Sequence, residues 1–410
     1  MSAAAASVPA VSSDSEFIVE SSSEREFPRV GTFDEMGLHE NLLRGIYSYG
    51  FEKPSAIQSV AICPIVAGRD VLGQAQSGTG KTGTFGIGLL SRIDPAHKAV
   101  QAVVLAHTHE LSEQNANVIQ DIGRYLGVKV VLAIGGVPRH QNVRDIRSGA
   151  HVVVGTPGRI WDLASSGDLR FDGLRMFVVD EADEMLRDRF AEQVDAIVKV
   201  GLPAACRVAF FSATMPPEVR ELADSILHEP VRVTLKTADV KLEGIKQYFV
   251  GVDEDSWKLD VLCDIFEGMS IPQSIIFTNT KERAERLHHT LAERGFPVSV
   301  IYGEPMNQAE RKRRMDDFRI GKTRVLIATN LLARGIDVQT VSMVFNFDVP
   351  SFDDMENYIH RIGRCGRFGR KGVAISFVTP DEKDVLDQIG AHYTFTTSAL
   401  PMDLKGVMST

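Results

Sequence analysis

From about residue 70 the chain alternates short runs rich in Val, Ile, Leu and Phe with longer stretches whose apolar residues return every three or four positions. The short runs have the pattern of strands buried on both faces, and the longer stretches that of helices with one face on a core. In alternation they predict parallel strands crossed over by helices. The runs fall at 70–74, 102–106, 130–134, 151–154, 176–179 and 207–211, then at 274–277, 298–302, 324–328, 343–347 and 373–378. Between the two sets, LKTADVKLEGIK is polar and without apolar periodicity, which places a linker at 237–245. The prediction is an α/β chain of two tandem domains, 32–236 and 246–410, each a parallel sheet flanked by helices. Residues 1–31, rich in Ala and Ser with Asp14, Glu16, Glu20, Glu24 and Glu26 against Arg25 and Arg29, are expected to form a disordered acidic tail.

Composition changes this picture little. A length of 410 residues exceeds one ordinary domain, and 44% hydrophobic with 24% charged residues is a globular balance. No apolar run approaches the roughly 18 residues of a membrane span. The opening MSAAAASVPAVSSDSEFIVE has no basic start, so neither a signal nor a transit peptide is expected, and the chain is assigned to the cytoplasm, with the nucleus as the alternative. Cys63, Cys206, Cys263 and Cys365 form no CxxC pair, which argues for reduced thiols rather than a zinc site. A net charge of −9 excludes a passive nucleic-acid coat and leaves room for a local, switched site.

In open parallel sheets ligands bind beyond the carboxyl ends of the strands, so the residues just past each run share one rim. After 70–74 comes Ala75-Gln76-Ser77-Gly78-Thr79-Gly80-Lys81-Thr82. Glycines let backbone N–H groups turn toward phosphate oxygens, Lys81 reaches the terminal phosphates and Thr82 offers a hydroxyl to Mg²⁺. Ala75 stands where the usual phosphate-loop pattern has Gly. After 176–179 come Asp180-Glu181-Ala182-Asp183, with Asp180 the candidate metal ligand and Glu181 the candidate base. Taken alone, these acids equally suit a helix N-terminus. In the second half, His360-Arg361-Ile362-Gly363-Arg364-Cys365-Gly366-Arg367 offers Arg364 and Arg367 as arginine fingers, the alternative being a solvated basic segment.

AQSGTGKT, DEAD, SAT at 212–214 and HRIGRCGRFG, with PSAIQ at 54–58, TPGR at 156–159 and ARGID at 333–337, resemble the DEAD-box RNA helicases over about residues 33–404. RGIYSYGFEKPSAIQ and LEGIKQYFV look most like the branch of translation initiation factor 4A and its nuclear exon-junction paralogue. The resemblance implies two RecA-like domains, with ATP and Mg²⁺ as cofactors. By it Phe33 stacks on adenine, Gln58 reads the adenine edge, and Asp337 meets the ribose. Ser212 and Thr214 couple nucleotide state to closure, and His360 lies against the DEAD segment. Thr108, His109, Gly136, Thr156, Gly158 and Arg159, with Asn279, Thr280, Gly303, Arg311 and Thr329, line a path for RNA bound without regard to sequence. It further implies a monomer that works with scaffold or activator proteins and no membrane. The expected activity is RNA-dependent ATP hydrolysis driving local unwinding in translation initiation, the alternative being an ATP-dependent RNA clamp of the exon-junction type.

The chain departs from the family on the RNA side. His107-Thr108-His109-Glu110-Leu111 stands where the family has Pro-Thr-Arg-Glu-Leu, Tyr302 where it usually has His and Arg189 where it has Gly, while Val137 and Asn330 stand where factor 4A has Thr and Asp, Asn330 being a substitution that other DEAD-box members carry. The imidazole of an ordinary His is mostly neutral at neutral pH, so a phosphate contact is expected to be weakened at His109.

Overall fold

Two sheets carry the chain in the computed structural model, which describes residues 17–21, 27–75, 78–187, 190–235, 245–268, 272–303, 305–330, 341–365 and 372–401. The first contains β1 (Phe17–Glu20), β2 (Val71–Gln74), β3 (Ala102–Leu105), β4 (Val130–Ala133), β5 (Val152–Gly155), β6 (Met176–Asp180), β7 (Arg207–Ser212) and β8 (Val231–Leu235), in the order β1-β8-β2-β7-β6-β3-β5-β4. The second contains β9 (Ile245–Gly251), β10 (Ser274–Phe277), β11 (Val298–Ile301), β12 (Val325–Ala328), β13 (Met343–Asn346), β14 (Gly372–Val378) and β15 (Ser398–Ala399), in the order β11-β12-β10-β13-β14-β9-β15. Every predicted run is a strand, and each of these pairs in parallel with its neighbours.

The continuous apolar runs follow from helices on both faces. In the first domain Val104 and Val178 face the cluster that holds Leu42 and Ile46 of α1 (Glu40–Tyr49), Ile62 of α2 (Ala56–Val66), Phe85 of α3 (Lys81–Arg92) and Ile119 of α4 (His109–Ile122). Val103, Phe177 and Val179 point the other way, toward Ile146 of α5 (Arg139–Arg147), Leu163 of α6 (Pro157–Ser165), Met185 of α7 (Ala182–Arg187), Val194 of α8 (Phe190–Lys199) and Ala223 of α9 (Pro217–Ile226). The second sheet is covered likewise by α10 (Lys258–Gly268) and α11 (Lys281–Glu293) on one side and α12 (Gln308–Arg319) on the other, with α13 (Met355–Ile362) and α14 (Pro380–Tyr393) packing on a third cluster. No helix among the described residues is long and apolar enough to cross a membrane.

Four strands escaped the sequence reading, β1, β8, β9 and β15, and all four sit on or beside a sheet edge. β8 and β9 interleave polar residues, as in VRVTL and IKQYFVG, and so lack a continuous apolar run. β15 is two residues long. β1 corrects the expectation of a disordered tail over 1–31: Phe17–Glu20 pairs antiparallel with β8, Phe17 opposite Leu235, and the Phe17 side chain is buried. An Ala/Ser-rich, acidic composition hid a short apolar segment that an open strand edge accepts. Residues 1–16 and 22–26, and the linker apart from Ile245, which opens β9, lie outside the described residues.

Candidate active site

The phosphate loop is shaped by its glycines and by Gln58. Gly78 and Gly80 hold φ of 84° and 103°, a left-handed conformation that costs a β-carbon dearly, and a Cβ on Gly80 would stand 2.8 Å from Gln58 Nε2. Gln58 Nε2 donates to Gly80 O at 3.4 Å, while its Oε1 accepts the Ser55 N–H at 2.9 Å in the capping box of α2. Ala75 N donates to Ser212 O at 3.0 Å, which anchors the loop's start to β7. Thr79 precedes the turn into α3, whose first residues are Lys81 and Thr82; Gln76 and Ser77 lie outside the described residues.

Lys81 Nζ and Glu181 Oε2 pair at 3.0 Å, both almost fully buried. Glu181 follows β6 with φ of 52°, a left-handed conformation uncommon for a side-chain-bearing residue and a form of strain that clusters at functional sites. The two adjacent carboxyls are pushed apart. Burial and the neighbouring Glu181 charge raise Asp180 well above the usual carboxylate range. Burial would raise Glu181 too, but the Lys81 ammonium overrides it and holds that group low. Asn115 on α4, fully buried, donates from Nδ2 to Asp180 Oδ2 at 2.8 Å and accepts the Thr82 hydroxyl on Oδ1 at 3.1 Å.

Asp183 gathers the parts expected to couple the domains. Its Oδ2 accepts the Thr214 hydroxyl at 2.7 Å, and its N–H donates to Ser212 Oγ at 3.2 Å. From the second domain, His360 Nε2 of α13 lies 3.6 Å from the same Oδ2. Arg364, just after α13, is buried and donates from Nε to His360 O at 3.0 Å. Arg367 and Asp337 lie outside the described residues. Phe33 is a correction of emphasis: its ring is fully buried, stacked on Phe51 at 6.3 Å and edge-on to Tyr47 at 6.2 Å, so it anchors the loop before α1 and presents no face to a base.

The residues assigned to RNA fall on one side of both sheets. In the first domain His107, His109, Thr156, Gly158 and Arg159 line a cavity of about 410 Å³. Thr108 caps α4 by accepting the Leu111 N–H at 3.2 Å, and Arg159 is partly spent on Val137 O at 2.8 Å. Burial lowers His109 below the ordinary histidine value, which a hydrogen bond with Gln308 and the Glu110 charge only partly offset. Gly136, with φ of 80°, lets Gln308 of α12 approach so closely that a Cβ would stand 2.8 Å from its Oε1. Next to it Arg311 Nη1 lies 3.7 Å from Glu110 Oε1, and Lys312 pairs with Glu113, both across the domain boundary. In the second domain Asn279 and Thr280 follow β10, Gly303 follows β11 and Thr329 follows β12. Thr280 caps α11, and Asn279, although exposed, is tethered, accepting from Arg361 Nη2 at 2.7 Å and donating to Val349 O at 2.9 Å.

Sequence reasoning passed over three buried polar residues. Arg361, fully buried, donates to Asp348 O at 2.5 Å and to Asn330 Oδ1 at 2.9 Å, so it ties together the loops after three strands rather than facing solvent. Lys258 is fully buried against Glu382 at 2.6 Å and Asp255 at 3.1 Å. Asn115 had a visible signal, a polar side chain within the apolar stripe Leu111, Val118, Ile119 and Ile122 of α4.

Residues 55–222 match the DEAD/DEAH box helicase family, and 257–369 match the helicase conserved C-terminal domain. The chain is 50% identical over 377 residues to eukaryotic initiation factor 4A of Zea mays, covering 92% of this chain and 91% of that protein. It is 48% identical over 376 residues to eukaryotic initiation factor 4A of Drosophila melanogaster, covering 92% of each. Among solved structures it is similar to S. cerevisiae Dbp5 bound to RNA and ADP BeF3, with a TM-score of 0.85 at 37% identity over 93% of this chain and 98% of that one. Against a Dbp5 variant bound to Nup159, Gle1 and ADP the TM-score is 0.67 at 36% identity, over 91% of this chain and 97% of that one.

Proposed function

The chain belongs to the DEAD-box helicases, and from that premise we propose that it is an ATP-dependent RNA helicase acting in translation initiation. The observation that carries the reading is the His360 approach to Asp183, which sets the second domain against the nucleotide side of the first. The identity to initiation factor 4A along nearly the whole chain supports the pathway, and with it a cytoplasmic place and partner proteins that choose the RNA.

In this reading the loop from Ala75 to Thr82 receives the ATP phosphates, and Lys81 leaves Glu181 to reach them. The released Glu181 carboxylate orients a water and accepts its proton. Thr82 and Asp180, oxygen donors joined through one buried amide, fit a hard cation and would hold Mg²⁺. That ion would neutralise charge on the phosphates. Arg364 and Arg367 bring the second domain's positive charge to the transferred phosphate, so hydrolysis requires closure. RNA phosphates and sugars lie along the His109 cavity and across to Gly303, Arg311 and Thr329. Closure bends the bound strand out of helical register and separates a short duplex; hydrolysis releases it.

The test is steady-state ATP hydrolysis with and without single-stranded RNA, with Glu181→Gln as control. Strong stimulation that disappears in the variant supports the helicase. Hydrolysis indifferent to RNA would overturn the coupling, and RNA held unreleased during hydrolysis would favour a clamp.

A further inference from the structure

We infer that Asn115 is a positioning residue of the ATPase site, its carboxamide holding the Thr82 hydroxyl and the Asp180 carboxylate in place as the two protein ligands of the cation. The inference rests on the reading of those two residues as Mg²⁺ ligands.

The geometry is specific to an amide. Oδ1 accepts from Thr82 Oγ1 at 3.1 Å while Nδ2 donates to Asp180 Oδ2 at 2.8 Å, so the side chain spans the gap between the start of α3 and the end of β6. A carboxylate in the same place would repel Asp180, and a hydrocarbon would leave two polar groups unpartnered next to a buried charge. Asn115 is fully buried on a helix fixed at its first turn by the Thr108 cap and packed through Leu111, Ile119 and Ile122. Its rotamer is therefore set by the core and not by the ligand, which is what preorganisation of ligand atoms requires. A hydrogen bond from the amide also leaves the second carboxylate oxygen of Asp180 to accept the Glu181 N–H at 3.0 Å, so both oxygens are oriented. Asn115 has no reach to the phosphates of its own in this argument; it acts through Thr82 and Asp180.

The consequence separates metal-dependent from metal-independent binding. Affinity for a fluorescent ADP analogue is measured on the full chain in Mg²⁺ and in EDTA, for the native protein, Asn115→Leu and Asn115→Ser, together with the Mg²⁺ concentration giving half-maximal ATPase. The expected result is an EDTA affinity within twofold of native, a Mg²⁺ enhancement reduced at least fivefold, and a half-maximal Mg²⁺ concentration raised at least fivefold, with the ATPase KM for RNA unchanged. Should Asn115→Leu fail to fold, Asn115→Ser, whose hydroxyl is too short to span both partners, decides. An unchanged Mg²⁺ enhancement, or losses equal in Mg²⁺ and EDTA, would overturn the positioning role and make Asn115 a core residue only. A native protein that binds the analogue equally in Mg²⁺ and EDTA would instead remove the metal reading of Thr82 and Asp180, and the inference with it.

Discussion

His360 and Asp183 lie 3.6 Å apart although they belong to different domains, and each side chain is only 1% exposed. The same Asp183 oxygen accepts the Thr214 hydroxyl at 2.7 Å, so one carboxylate receives both the coupling segment of its own domain and the imidazole of the other. His360→Ala removes the second partner and leaves nucleotide binding by Lys81 and Thr82 untouched. RNA-stimulated kcat is expected to fall about 10- to 100-fold, the scale of a catalytic group misplaced by about 1 Å, with ATP affinity within threefold of native. Steady-state ATPase at saturating RNA, paired with equilibrium nucleotide binding, checks this; a kcat within twofold of native would show that closure does not use the contact.

Asp180 makes the nucleotide-free site costly to fold at neutral pH. Burial, then the Glu181 charge, raises its carboxyl, so the folded chain holds that proton more tightly than the unfolded chain does. Stability from this group is therefore complete below the ordinary carboxylate value of about 3.9 and is lost as pH rises through the raised value. Asp180→Asn keeps an acceptor for the Asn115 amide and has no charge to desolvate. Relative to native, its Tm should climb as pH is taken from 5 to 8.5, by about 2–4 °C for each kcal/mol relieved, while hydrolysis is lost. Differential scanning calorimetry without nucleotide checks it, and a Tm difference flat with pH would refute the sign.

The strands that position the site were legible because helices cover both faces, so burial wrote itself as unbroken apolar runs such as Val103-Val104 and Val178-Val179. Strands on or next to a sheet edge, such as β1 and β8, left no such run. At the site, the residues proposed to meet phosphate were legible from local pattern: a glycine loop or an acid at a strand end is a short motif with a mechanism. What stayed hidden was long-range pairing. Asn115 reaches Asp180 across 65 positions, and Arg361 reaches Asn279 across 82, so neither partner could be assigned before the fold brought them together. Phe33 was misjudged for a related reason, since an aromatic ring next to a binding loop reads the same whether its face is open or, as here, covered by Phe51.

Lys258 is a fully buried charge in the second domain's core, held by three carboxylates. Its ammonium, fully buried, lies 2.6 Å from Glu382, 3.1 Å from Asp255 and 4.0 Å from Asp348, so it pins α10 to the start of α14 and to the loop after β13. Lys258→Met fills the same volume and strands the carboxylates. Breaking a buried pair costs about 3–5 kcal/mol, and the lower end applies because Asp255 and Glu382 keep partial access to water. Urea unfolding should show a loss of about 3 kcal/mol assigned to the second domain, with nucleotide binding to the first domain preserved. A loss below about 1 kcal/mol would mean that Arg283, which pairs with Asp255 at 2.6 Å and Asp348 at 2.7 Å, already neutralises the cluster.

His109 is expected to set the pH response of RNA binding. Burial in the cavity lowers the imidazole below the ordinary value of about 6.5, the hydrogen bond with Gln308 and the Glu110 charge act against this, and Arg311 and Arg159 act with it. The ring is therefore neutral at pH 7 and becomes a cation only below its depressed pKa, so RNA affinity of the native chain should be flat from pH 8 to 7 and rise in more acid solution. His109→Arg supplies a permanent charge and a planar fork at the same place. A charge-assisted hydrogen bond is worth about 1.5–3 kcal/mol, and less at an open groove, so affinity at pH 7.5 should rise about tenfold. The rise below pH 7 should disappear, and the plot of log affinity against log salt for single-stranded RNA should steepen by about 0.7, the signature of one more neutralised phosphate. Fluorescence anisotropy with a nonhydrolysable ATP analogue, over pH 5.5 to 8 and three salt concentrations, measures all three. A variant with higher affinity but an unchanged salt slope would mean the arginine acts through Gln308 and Glu110 at the domain boundary and not through the RNA backbone.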